Sequence, residues 1–315
     1  MYNPYVLVTG AAGFIGSHLV EELSRQNHHV LALDCFLPDL YPIEEKLQNW
    51  KRLENLANVD FLEANLVDVT NDGNFEGITH IVHAAAMPGL MKSWSHFPSY
   101  SSNNINATQK LLELSSKIPS LEKFVYISTS SVYGNITNGT ENHPLNPISP
   151  YGISKLAGEN LVRAYSETFG IPHTILRYFS VYGPRQRPDM AYRIFAESII
   201  SRKQITIFGD GSRSRANTYI SDCVQGTIGA LFSPINGKVY NICGGESIEV
   251  IAALRLLELN LNTSADLVFA GPRIGDQAET SGDFSAANRD FGYSPRISVS
   301  EGLANLADWV KSRPR

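Results

Sequence analysis

Tyr5-Val6-Leu7-Val8-Thr9-Gly10-Ala11-Ala12-Gly13-Phe14-Ile15-Gly16 is where the reading of this chain turns. The short apolar run ending in Gly10 reads as a buried strand, and Phe14, Ile15, Leu19, Val20 and Leu23 follow at helical spacing. Gly10 permits a tight turn, Gly13 lets a pyrophosphate approach the backbone, and Gly16 lets the helix pack on the strand. Phosphates would rest on the helix N-terminus, whose free N–H groups and dipole favour anions. A glycine turn between core elements is the plainer reading, but a strand before and a helix after favour a dinucleotide site. Asp34 ends the next strand-like run, His29 to Asp34, where a carboxylate takes a ribose 2′-hydroxyl. No Arg follows at Cys35 or Phe36 and a 2′-phosphate would be repelled, so the expected cofactor is NAD rather than NADP.

Working outward, Val59 to Leu62, Thr79 to Ala84 and Lys123 to Ser128 are further short apolar runs, with helical patterns between several of them, including Tyr100 to Lys117. Alternating strands and helices imply an α/β fold with a doubly wound parallel sheet. Ser149 to Phe169 carries one apolar stripe, closed by Gly170, and Ile171 to Tyr178 reads as the strand after it. Beyond about residue 180 the elements shorten. Residues 1–180 are expected to form the NAD-binding domain, with later segments returning to it, and 181–315 mainly a smaller substrate-binding lobe. Asp189 to Arg202, Ser221 to Phe232 and Ser298 to Lys311 read as helices there.

The balance of 26 basic and 31 acidic residues leaves a net charge of -5, which offers no field for nucleic acid. No apolar run is long enough to span a membrane. Only Met1 to Pro4 precede the first strand, too few for a signal peptide. Cys35, Cys223 and Cys243 lie far apart, which fits a reducing cytoplasm and argues against a disulfide framework or a metal site.

Tyr151 and Lys155 are four residues apart at the start of the strongest helix, so they share a face. A phenol ionises near pH 10, too high for a base at neutral pH, and a neighbouring ammonium with a cationic nicotinamide would lower it. Ser128-Thr129-Ser130-Ser131 ends the preceding strand, where ligands bind in open α/β sheets. A hydroxyl there would bridge a substrate oxygen and Tyr151. Taken singly, Tyr-x-x-x-Lys is common on amphipathic helices and a Ser/Thr run is an ordinary turn.

Together these blocks resemble the extended short-chain dehydrogenase/reductases, specifically the NAD-dependent epimerase/dehydratase family with its Rossmann-type fold. Thr9 to Gly16 resembles TGxxGxxG, His83 to Ala86 resembles HxAA, and Asn104 to Thr108 resembles NxxGT with Ala107 in place of Gly. Tyr178 to Pro184 is similar to RYFNVYGP. Phe208 to Gly211, Tyr219 to Asp222 and Arg273 to Asp276 resemble FGDG, TYVxD and RxGD. The resemblance implies a catalytic set of Thr129, Tyr151 and Lys155. It implies cofactor contacts from Gly10, Gly13, Phe14, Ile15, Gly16, Asp34, Ala84, Asn104, Tyr151 and Lys155, and from Asn65 and Leu66, which replace the usual Asp-Ile. It also implies a UDP-sugar substrate and a homodimer packed through the Tyr100 to Lys117 and Ser149 to Phe169 helices. In the family NAD takes a hydride from the sugar C4, a 4-keto intermediate turns over, and the hydride returns to the other face.

Related dehydratases and decarboxylases carry an acidic residue just after the catalytic Thr, where Ser130 and Ser131 stand here. A hydroxyl is a poor base for a carbon-bound proton, which favours 4-epimerisation over elimination or decarboxylation. A non-catalytic NAD-binding relative would typically lack Tyr151 or Lys155. Pro88 to Trp94 and Gly183 to Met190 resemble bacterial UDP-glucuronate 4-epimerases, with Ser180, Arg187, Ser130 and Ser131 placed to hold a C6 carboxylate. Arg215 and Arg273 match diphosphate-binding positions. Met91 stands where an Arg is frequent, Ala216-Asn217 replaces Asp-Phe, and small Thr280 gates sugar size. UDP-glucose and UDP-N-acetylglucosamine therefore remain alternatives. His83, Trp50, Trp94 and Trp309 are expected to be structural.

Overall fold

The computed structural model describes residues 4–38, 41–70, 73, 75–135, 138–271 and 279–313. The first part of the chain runs β1 (Tyr5–Thr9), α1 (Phe14–Arg25), β2 (His29–Asp34), α2 (Ile43–Leu53), β3 (Val59–Glu63), β4 (His80–His83), α3 (Phe97–Ser101), α4 (Ala107–Ser115), β5 (Lys123–Thr129), β6 (Asn138–Gly139), α5 (Pro150–Phe169) and β7 (His173–Tyr178). The second part runs β8 (Ser180–Tyr182), α6 (Ala191–Ser201), β9 (Ile205–Phe208), β10 (Ser214–Tyr219), α7 (Ile220–Phe232), β11 (Lys238–Ile242), β12 (Ser247–Glu249), α8 (Val250–Leu261), β13 (Leu267–Ala270), β14 (Glu279–Gly282), α9 (Ser285–Phe291) and α10 (Val299–Ser312).

Seven strands form one sheet in the order β11-β7-β5-β4-β1-β2-β3. Every pairing in it is parallel. Parallel strands are covered on both faces, and β4, β5 and β7 are buried along their whole length, polar residues at their ends included. The strand order reverses between β1 and β4. That switch point is where a crevice opens at the carboxyl ends of parallel strands. Thr9, Asp34, His83, Thr129 and Tyr178 all sit at those ends. β11 brings the chain back to the sheet after residue 180. The later segments otherwise build smaller sheets, β12-β10-β14 extended by β6 of the first part and with β8 on β10, and β13-β9, while α6, α8 and α10 pack together.

The helix that carries Tyr151 and Lys155 has the ends the sequence predicts. Ser149 caps it, its Oγ accepting from the Gly152 N–H at 3.1 Å, Pro150 opens it, and Gly170 closes it at φ +72°. The predicted helices at 189–202, 221–232 and 298–311 appear within two residues as α6, α7 and α10.

The expected continuous helix from Tyr100 to Lys117 is interrupted. A π turn over Ser102–Asn106 separates α3 from α4. The i→i+5 bonding of a π turn adds a residue per turn and rotates the next stretch of helix, an irregularity frequent at functional sites. Here it sets Asn103 on the cleft and Asn104 behind it.

Candidate active site

A cleft of about 360 Å³ opens at the carboxyl ends of the sheet, within the size range of small-molecule sites. Its floor is the glycine turn. Gly10 adopts φ +71°, and a Cβ there would lie 2.8 Å from the Ala85 backbone. A Cβ on Gly16 would lie 2.1 Å from the Gly10 carbonyl oxygen. Side chains are therefore excluded from the cradle between β1 and α1, which fits a pyrophosphate laid on the helix N-terminus. Gly10, Gly13, Phe14, Ile15, Gly16, Asp34 and Ala84 all line it. The Asp34 carboxylate is buried and fixed, accepting from the Ala12 N–H at 3.0 Å and the Phe36 N–H at 2.8 Å. Each oxygen keeps a lone pair for a ribose hydroxyl.

Three expected cofactor residues do not line the cleft. Asn65 caps the turn Leu66–Asp68, accepting from Val67 N–H, and Leu66 is buried in the core. Asn104 is fully buried; it accepts from the Met87 N–H at 2.6 Å and donates to Met87 O and to Ser154 Oγ, both at 2.9 Å. Ser154 in turn donates to Tyr151 O. Asn104 thus ties the cleft wall to the first turn of α5. Cys35, Leu37, Tyr41, Lys46, Asn103, Phe179 and Met190 also line the cleft, none of them assigned to cofactor or substrate from the sequence. Lys46 and Tyr41 come from α2 and the loop before it, which carry no motif, and Asn103 arrives through the π turn.

Thr129, Ser130, Ser131, Tyr151, Lys155, Ser180 and Arg187 converge on the same cleft. Tyr151 shares the cleft lining with Thr129, and its ring meets Tyr100 edge-on at 6.2 Å. Thr129 Oγ1 also accepts from the Ser131 N–H at 3.2 Å. Lys155 is 3% exposed, with Nζ 4.2 Å from the centre of the Tyr126 ring. Burial lowers its amine to about 7, and the charge of Glu159 opposes that fall. Burial also pushes the Tyr151 hydroxyl above the usual phenol range, while the Thr129 hydrogen bond and the Arg187 charge draw it back. The Arg187 charge thus acts on Tyr151 in the direction expected of Lys155.

Arg187 is already engaged by its own chain. Its Nε donates to Asp189 Oδ1 at 3.0 Å and its Nη2 to Asp189 Oδ2 at 3.1 Å. Arg215 is half-buried on β10, donates to Ser214 O at 3.0 Å, and does not line the cleft. Arg273 and the side chain of Thr280 lie outside the described residues. Met91 is exposed and away from the cleft lining.

His83 is structural as expected. Its ring is fully buried between Thr9 Oγ1 at 2.8 Å and Thr108 Oγ1 at 2.9 Å, and burial lowers it to about 3, so it stays neutral. Trp50 packs against Phe36 and Phe61, and Trp309 lies under Arg193 and Arg313. Trp94 departs from expectation: it is 67% exposed and packs little. The three cysteines are unpaired, and no cluster of metal-ligating side chains occurs among the described residues.

Comparison with known proteins agrees with this geometry. Residues 6–243 match the model of the NAD dependent epimerase/dehydratase family. The uncharacterized UDP-glucose epimerase YtcB of Bacillus subtilis is 43% identical over 311 residues, covering 98% of each chain. The UDP-glucuronate 4-epimerase of Thermodesulfobacterium geofontis is 34% identical, over 98% of this chain and 96% of its own. The crystal structure of UDP-glucuronic acid 4-epimerase from Bacillus cereus in complex with UDP-glucuronic acid and NAD superimposes with a TM-score of 0.94. It is 41% identical, with 98% and 99% of the two chains covered. The glycine cradle, the ordered Thr129-Tyr151-Lys155 set and a match over most of the chain have one reading: this chain belongs to the NAD dependent epimerase/dehydratase family.

Proposed function

We propose that this chain is an NAD-dependent isomerase, a 4-epimerase of UDP-sugars acting on the UDP-glucuronate/UDP-galacturonate pair. The observation that carries the reading is the convergence of Tyr151, Thr129, Lys155 and Arg187 on one cleft floored by a dinucleotide cradle. When bound, NAD supplies the redox partner that takes up and returns two electrons at the sugar C4. Tyr151 accepts the C4 hydroxyl proton as those electrons leave and gives it back when they return. Thr129 holds the same hydroxyl in line, and Lys155 lies one helical turn along the same face to hold the ribose. Ser130 and Ser131 line the cleft where a lyase would need a carboxylate, and a hydroxyl is a poor base for a carbon-bound proton. Arg187, with Ser180, Ser130 and Ser131, offers donors for a C6 carboxylate. Arg215 and Arg273 are assigned to the diphosphate on the resemblance alone, as are Asn65, Leu66 and Asn104 to the cofactor side.

The test is to incubate the purified protein with UDP-glucuronate, UDP-galacturonate, UDP-glucose and UDP-N-acetylglucosamine, without added NAD, and to identify products by NMR. Interconversion of the two uronates is expected. Loss of water or of CO2 would reject epimerisation, and conversion of neutral sugars alone would reject the uronate assignment. Arg187→Ala is expected to raise KM for the uronates about tenfold or more with a smaller effect on UDP-glucose.

Residues 1–180 are assigned to cofactor binding and 181–315 mainly to the substrate lobe. Three unpaired thiols suit a reducing compartment, and we place the protein in the cytoplasm on that ground. We also propose a homodimer through α5 and the helical segment that ends in α4. On α5, Ile153 and Phe169 are about half exposed, and the turn Lys92–Trp94 and α3, packed against α5, add exposed Trp94 and Phe97. Clustered exposed aromatic and aliphatic side chains mark an interaction surface. Sedimentation velocity should show a dimer at micromolar concentration and Ile153→Asp should shift it to monomer; a parent protein that sediments as a monomer refutes the assignment.

A further inference from the structure

The guanidinium assigned to a substrate carboxylate already holds a carboxylate. Asp189 binds Arg187 along the Nε–Nη2 edge, the geometry a planar guanidinium offers best. The Arg187 side chain is largely withdrawn from solvent, at 17% exposure, while Asp189 stands at the solvent edge of the pair with its side chain 33% exposed. Neither residue is on a drifting loop. Arg185, at φ +67°, donates to both carboxylate oxygens of Glu21 and to His18 Nε2, which ties the segment to α1. Gln186 O accepts from Arg193 Nη1 at 2.7 Å, and the Met190 N–H donates to Arg187 O at 3.1 Å. Gly89, at φ +97°, lies close by: a Cβ there would come to ordinary contact distance, 3.9 Å, from Asp189 Oδ2. The cation that lines the cleft thus has its own anion beside it, and both lie within the electrostatic reach of Tyr100.

We infer that Asp189 is an internal competitor for Arg187, setting the preference of the cleft between anionic and neutral sugars, an inference that rests on the uronate reading above. A sugar carboxylate has two ways to meet Arg187. It displaces Asp189 from the Nε–Nη2 edge, or it takes the free Nη1 edge and faces a guanidinium whose charge is already neutralised, with a like charge just behind it. Both weaken its binding. A neutral hydroxymethyl group leaves the pair intact and meets neither obstacle. Asp189 therefore narrows the advantage that Arg187 gives to an acid, while sparing the apo cleft an unpaired buried cation.

The test removes the charge and keeps the shape. UDP-glucuronate and UDP-glucose are titrated by calorimetry into NAD-loaded protein carrying Tyr151→Phe, with and without Asp189→Asn. Asp189→Asn is expected to tighten UDP-glucuronate about three- to tenfold and to leave UDP-glucose within about twofold. Adding Arg187→Ala should erase that gain, since the competition then has no object. Asp189→Ser serves as the second variant if the amide perturbs folding. Weaker UDP-glucuronate binding would show that Asp189 orients Arg187 instead, and unchanged binding, or equal shifts for both sugars, would also overturn the proposal. These dissociation constants are read without turnover. A parent protein that converts no uronate refutes the substrate assignment, whereas an unchanged ratio of dissociation constants refutes the competitor.

Discussion

Tyr151→Phe is expected to lower kcat by about a thousandfold or more while the protein still purifies with NAD. The substitution removes one oxygen. The ring remains edge-on to Tyr100, and the cofactor cradle at Gly10, Gly13 and Gly16 is untouched. What is lost is the group that Thr129 orients and that takes the sugar proton, and proton transfer by a positioned side chain contributes about 10²- to 10⁴-fold. The same oxygen sets the pH dependence. Burial raises its pKa and only the Thr129 bond and Arg187 oppose the rise, so kcat/KM of the parent should climb with pH as the phenolate forms. Initial rates by NMR and the NAD released on denaturation check both points. A variant as active as the parent would remove Tyr151 from the mechanism.

Glu159→Ala is expected to cost about 3–5 kcal/mol of stability, the range for removing one partner of a buried ion pair. Glu159 and Arg177 are 0% and 2% exposed. The carboxylate accepts from Arg177 Nε at 2.9 Å and Nη2 at 2.8 Å, from Ser128 Oγ at 2.6 Å, and from Arg163 Nη2 at 2.8 Å. It joins α5 to β5 and β7 directly beneath Thr129 and Lys155, and its loss leaves the Arg177 cation buried without a counter-charge. The sign of its pH dependence is set by these partners. Burial would raise the acid, but the hydrogen bonds and charge of Arg177 hold it below the ordinary carboxylate range. Its contribution is therefore complete above the unfolded pKa of about 4.3 and is lost as pH falls through the lower folded value. Urea unfolding at neutral pH should separate parent from variant, and the gap should close in strong acid. The variant that remains folded should also show a lower Lys155 pKa, because Glu159 is the charge that opposes the fall to about 7. Equal unfolding midpoints at neutral pH would mean that the pair adds nothing.

What was legible in the sequence is what short-range geometry dictates. The strand–glycine turn–helix at residues 5–25, the Asp34 strand end and the limits of α5 from Ser149 to Gly170 each depend on backbone conformations and spacings contained within a few residues. So does the placement of Thr129, Tyr151 and Lys155 on one cleft, since strand ends and a helix face are set by the pattern of β–α alternation. The tertiary structure alone decided which side of an element a residue presents and what charge it carries. A π turn moved Asn104 behind the wall and brought Asn103 onto it. Packing left Asn65, Leu66 and Arg215 outside the cleft and carried Lys46 in from α2. Desolvation drew down Lys155, folding brought the charge of Arg187 to bear on Tyr151, and Asp189 came to lie on that same arginine. These outcomes depend on how much water each group loses to neighbours far away in the chain, and local sequence carries no measure of that loss.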